Sequence, residues 1–247
     1  EQARALDKML TLAGTGDAST PAQIDALYRL AEIFIATPKR RTQGVELLER
    51  AFASEPRWAQ AGRILRVAAV EQADDPRVMA LFERVARNGG DAMLLLDFLE
   101  LRARRSDVTQ AQIREGVNIG IDVGAHARVE VLLQRAIEVA KTSADGPTAA
   151  TWATLGLADR RLAAGDLTGA KDLMYEIAMI AEGGDIDALA ARIAARAGAE
   201  RPTMELAAEV YEFLRERHPS DRAVWEPLLG LYRELGDGDR LSSVVSS

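Results

Sequence analysis

Residues 207–237 read AAEVYEFLRERHPSDRAVWEPLLGLYRELGD, and this stretch decides the fold. Ala207, Tyr211 and Leu214 fall on one face of a helix, which must stop before Pro219 because proline breaks the intrahelical hydrogen-bond ladder. Trp225, Leu228, Leu229 and Tyr232 then resume helical spacing until Gly236-Asp237 turns the chain. The stretch is the back half of one helical hairpin and the front half of the next. Gly44, Leu48, Ala51 and Pro56 show the same small-large-small-proline spacing, and Val78, Phe82 and Val85 repeat part of it. Gly44 and Val78 are 34 positions apart. A repeat period of that length specifies stacked helical hairpins before any single residue is interpreted.

Working outward, helix boundaries are written in caps and prolines. Thr20-Pro21 opens a helix with Leu27, Leu30, Ala31 and Phe34 on one face. Further helices are predicted over residues 42–54, 57–72, 76–88, 91–104, 107–123 and 125–142. The second half yields helices over 147–164, 167–181, 185–197, 202–217 and 221–235. Residues 1–13 also read as helix, as does the segment from Leu241. The total is about fourteen helices, and no segment alternates like a strand. The expected fold is all-α: a right-handed superhelical solenoid of antiparallel hairpins, each burying its apolar face against the next. One solenoid is expected over residues 1–247, irregular and out of phase over 91–142.

Composition supports this reading. Hydrophobic residues make up 48% and aromatics only 5%, so Ala and Leu carry the apolar load and favour helix. The net charge of −7 argues against a nucleic-acid surface, which needs a basic field. Four Lys against 27 Arg is a coding bias of the bacterial, GC-rich type. No cysteine is present, which removes disulfides and thiolate metal sites. No apolar run is long enough for a membrane span. The expected compartment is the cytoplasm, with a periplasm as the alternative because the N-terminus reads as truncated. The first residue is Glu1, and both ends read as cut from a longer protein.

These residues resemble the tetratricopeptide repeat family. Trp225, Leu228, Leu229, Tyr232, Gly236 and Asp237 are similar to that repeat's front helix and turn, with Leu229 standing where the family prefers a small residue. Leu157-Ala158, Gly165-Asp166 and Ala170 match a second copy. Leu27 to Phe34 with Gly44 to Pro56 match a third, and Ala207, Tyr211, Leu214 and Pro219 a fourth. The resemblance implies a non-catalytic module that holds a protein or peptide segment in a concave groove lined by front helices. It implies groove-facing positions at Tyr28, Glu32, Arg63, Asp159, Arg192, Arg196, Glu226 and Arg233. Arg192 and Arg196 stand one turn apart, so two guanidinium forks could grip an acidic peptide. The small positions Ala51, Ala170 and Ala207 are expected to let helices approach, while Leu48, Phe82 and Tyr211 fill the space opposite.

Other chemistry weighs less. Residues 118–124, Asn-Ile-Gly-Ile-Asp-Val-Gly, look like the first phosphate loop of the actin and Hsp70 ATPases. The flanks read as helix, however, and Gly116, Gly120 and Gly124 recur every four residues, as one packing face would. His126 and His218 lack partners at ligand spacing, so no metal is expected. His218 suits a helix end, where a cation complements the dipole. No catalytic set and no cofactor site is marked, and an enzyme is not expected. A structural spacer or self-associating scaffold is one alternative function; a regulatory arm of a larger multidomain enzyme is another.

Overall fold

The computed structural model describes residues 5, 8–9, 11, 14, 20–72, 74–144, 146–181, 183–196 and 198–245. Most of the helix expected over residues 1–13 lies outside them. Among the described residues there are thirteen α-helices and no strand. The chain forms two compact units, Glu1–Val129 and Glu130–Ser247.

The first unit holds α1 (Pro21–Ile35), α2 (Arg41–Ser54), α3 (Trp58–Glu71), α4 (Pro76–Asn88), α5 (Ala92–Ala103) and α6 (Gln110–Asp122), and α7 (His126–Thr142) begins in it. Neighbours pack in sequence order, and α1, α3 and α5 also touch in succession. Local chemistry sets the starts. Thr20 Oγ1 accepts from the Gln23 N–H at 3.3 Å, and Gln23 Oε1 accepts from the Thr20 N–H at 3.1 Å, a reciprocal capping box. Thr109 and Gln112 repeat the device, which is why α6 starts at Gln110 rather than at residue 107 or 108. Asp75 and Asp91 cap α4 and α5. Gly44 lets α2 lie against the end of α1, where a Cβ would sit 2.7 Å from the Ile35 backbone nitrogen. The core gathers Leu27, Leu30, Phe34, Leu48, Leu65 and Phe82, all buried, with Phe82 edge-on to Phe98 at 5.7 Å. Each such side chain contributes roughly 1.5–3 kcal/mol by burial.

The second unit holds α8 (Thr151–Ala163), α9 (Leu167–Ala178), α10 (Gly184–Ala195), α11 (Arg201–Arg217), α12 (Arg222–Leu235) and α13 (Gly238–Val245). A 3-10 turn, Pro147–Ala150, precedes α8, so the proline expected to open that helix opens the turn instead. Asp185 does not cap α10: the helix begins at Gly184, and Asp185 and Asp187 lie in its first turn, where carboxylates complement the dipole. Neighbours again pack in order, with α8 on α10 and α9 on α11 as alternate contacts. Between α9 and α11 the contacts repeat one turn apart: Lys171 pairs with Glu209, and Tyr175 meets Phe213 edge-on at 5.5 Å. Ala170, Met174, Ile177, Leu189, Ile193 and Val210 form the centre of the core.

Gly124, Gly165 and Gly236 terminate α6, α8 and α12 in the left-handed conformation, at φ of 71°, 81° and 75°. In each case the following N–H reaches back to a carbonyl of the last turn: Ala125 to Gly120, Asp166 to Arg161, Asp237 to Tyr232. Gly124 is therefore a helix stop, not a third member of a packing face. Gly116 and Gly120 do lie buried in α6, and a Cβ on Gly120 would meet Val129 at 2.6 Å.

Candidate functional site

The sequence-derived groove positions divide between the units. On the first, Glu32 of α1 and Arg63 of α3 form an ion pair at 3.5 Å. Tyr28 does not join them. It is fully buried; its hydroxyl donates to the Glu55 carbonyl at 2.8 Å and accepts from the Arg57 N–H at 3.0 Å. Burial pushes its phenol above the usual range. Tyr28 thus joins the α2–α3 loop to α1 and is withdrawn from any exposed face.

On the second unit, Asp159 of α8 pairs with Arg192 of α10 at 2.6 Å. The charge of Arg192 is thereby offset within the fold, and the expected two-arginine clamp is reduced to Arg196. Arg196 caps the end of α10, exposed and without an ion pair among the described residues. Glu226 of α12 pairs with Arg222 one turn away at 3.1 Å, and Arg233 is exposed on the same helix.

Sequence reasoning missed the strongest polar cluster. Asp97 of α5 accepts from Arg66 of α3 at 2.5 Å and from Arg128 at 2.6 Å, and Arg128 also holds Glu100 at 2.6 Å. Asp97 is 19% exposed, so these bonds are poorly screened. The Glu100 hydrogen bond first, then Asp97, raise the Arg128 guanidinium above its ordinary range against the opposing effect of burial. The cluster is internally satisfied and joins successive hairpins. The signal was a separation of 31 residues between opposite charges, legible only once the repeat was in register.

Residues 118–124 are helix followed by the Gly124 stop, not strand–turn–strand, and form no phosphate loop. His218 sits at the end of α11, as its place before Pro219 implied, and its Nε2 lies 2.9 Å from Asp187. Arg217 bonds the other oxygen of Asp187 at 2.6 Å. Among the described residues no three His, Cys, Asp or Glu side chains converge as metal ligands. None of the described helices is long and apolar enough to cross a membrane.

One cavity borders the predicted positions. It is a cleft of about 410 Å³ in the second unit, walled by the end of α10, the α10–α11 loop, α11 and α12, with Ala194, Gly198, Met204, Tyr211, Gly230 and Glu234 among its lining. Arg196 lies in sequence between two lining positions, Ala194 and Gly198. On α12, Glu226 and Arg233 flank Gly230 at helical spacing, on the edge of the lining stripe. Small residues open the space, since a Cβ on Gly230 would meet nothing within 4 Å. Pro227 stands inside α12 and also faces the cleft. Tyr211, expected to fill a packing gap, does pack against the core on both sides of α11, but it is only partly buried and also forms part of the wall.

No family model matches this chain, and no curated protein matches it.

Proposed function

We propose that this chain is a non-catalytic, tetratricopeptide-like interaction module that binds a protein segment in the cleft of its second unit. The observation that supports this reading most directly is the cleft itself. It is open, formed by small residues, and bordered by charged side chains, Arg196 and Arg233, that have no ion pair among the described residues. Binding on rigid helices limits the ordering cost of association. The corresponding face of the first unit is occupied by its own ion pairs, Glu32 with Arg63 and Arg66 with Asp97, and supports binding less.

The test is selection from a displayed random-peptide library against the wild type and a blocked variant, Gly230→Phe, with helicity checked by circular dichroism. Gly230→Leu serves as a second blocker. Peptides enriched on the wild type and lost on both blocked variants support the reading. Equal enrichment on all three, or none on the wild type, overturns it. Because Asp159 already offsets Arg192 and Arg192 is not among the lining residues, charge reversal at Arg192 is expected to leave the affinity of the selected peptides unchanged. The measurement is their affinity by fluorescence anisotropy.

A further inference from the structure

Resting on the reading of this cleft as a binding site, we infer that its anchor is a cationic side chain of the bound segment, arginine above all, held by Glu234 and Tyr211. Among the described residues the wall has two polar side chains, Glu234, whose carboxylate only accepts at neutral pH, and Tyr211, whose hydroxyl accepts and donates. Glu234 is exposed, lies in the wall of the cleft and has no ion pair among the described residues. Among the described lining residues there is no Lys or Arg. Arg233 is next to Glu234 in sequence, but neighbouring helical residues project about 100° apart and do not face each other. The Tyr211 hydroxyl likewise has no hydrogen-bond partner among the described residues. Burial raises its phenol above the usual range, so the hydroxyl keeps its proton at neutral pH as an ordinary tyrosine does.

The remaining wall is apolar, with Met204, Ala207, Pro227 and Leu231 providing surface for an aliphatic stem. An arginine fits both halves of this environment. Its methylenes cover the apolar wall, its planar fork donates to the Glu234 carboxylate, and its face can stack on the Tyr211 ring. An acidic anchor seated in the cleft would meet the Glu234 carboxylate, while Arg196 and Arg233 border the cleft without lining it. An apolar anchor would cover Glu234 without pairing it, which is unfavourable for a charge taken out of water. The wall therefore selects the opposite charge to the one that Arg192 and Arg196 suggested from sequence.

The test compares two short synthetic peptides, one with a central arginine flanked by leucines and one with citrulline in its place, the uncharged isostere. Each is titrated into the isotopically labelled protein and followed through the backbone amides of Gly198, Gly230 and Leu231. The arginine peptide should move these amides, and citrulline should bind about tenfold more weakly, as expected for loss of one charge-assisted pair. Glu234→Gln should abolish that difference while preserving the dispersion of the spectrum. Equal binding of the two peptides at the cleft would sink the cationic anchor but leave the cleft as a binding site. Discrimination that survives Glu234→Gln would also sink it, because the charge would then be read elsewhere. If neither peptide moves the cleft amides, the functional reading fails together with the inference.

Discussion

The first unit and the α10–α12 end of the second treat the same kind of position in opposite ways, although α8 and α10 are still joined by Asp159 and Arg192. Along α1, α3 and α5, charged residues between the packing positions reach the next hairpin and are consumed there, as Glu32 is by Arg63 and Asp97 by Arg66 and Arg128. Between α10 and α12, alanines and glycines stand at the facing positions, a cleft opens, and Glu234 is left without an ion pair among the described residues. A charged residue at a groove position of a helical repeat is thus not a binding residue by default. Where helices are close it becomes a strut, and where small residues hold the walls open it becomes available.

The comparison can be broken at its strongest point first. Phe82→Ala removes a fully buried ring and its edge-on contact with Phe98. It is expected to cost about 3–5 kcal/mol, read as a lower midpoint in denaturant unfolding. A loss below about 1 kcal/mol would contradict a tightly packed first unit.

A sharper contrast sets one strut against another. Arg128→Ala leaves Asp97 and Glu100 short of a donor in a partly buried site and should cost about 1.5–3 kcal/mol. Asp159→Ala breaks a pair whose members are 46% and 51% exposed, and should cost no more than about 1 kcal/mol. Equal costs in thermal unfolding would show that burial does not separate the two.

Gly230→Ala tests the open site from the stability side. The methyl group meets no atom within 4 Å, and alanine favours helix over glycine. The variant should be more stable by about 0.5–1 kcal/mol. Destabilisation would mean that the cleft is closed in solution.

The smallest expected effect is a pH dependence at Asp187. Burial raises the pKa of its carboxyl, but hydrogen bonds from Arg217 and His218 outweigh burial and hold it below the usual range. A depressed carboxylate stabilises the fold above its unfolded pKa, near about 3.9, and loses that contribution as pH falls through its lower folded value. The unfolding midpoint of Asp187→Asn should therefore lie below wild type by a constant amount near neutrality, and the gap should close in acid. A gap that widens in acid would reverse the assignment.

Much of the fold was legible because it is written locally. Thr20-Pro21, Asp75-Pro76, Asp91 and Asp221 mark helix starts through bonds to residues two or three positions on. Gly165 and Gly236 mark stops by supplying a left-handed residue. Less of the site was legible. Tyr28 carries the spacing of a groove residue, yet it is buried because its hydroxyl finds the backbone of the α2–α3 loop, 27 and 29 positions away. Tyr211 carries the spacing of a packing residue and does pack against the core, yet it also walls a cleft.

The sequence by itself determined that this chain is helical, where most of its helices begin and end to within a few residues, and that neighbours pack in order, since caps, prolines and apolar periodicity act over a few residues. The tertiary structure alone decided which charges are spent on struts, which remain free, and that a cavity separates α10 from α12. Those outcomes depend on the gap between helices some thirty residues apart in sequence. That gap is set by the combined volume of side chains from several helices at once.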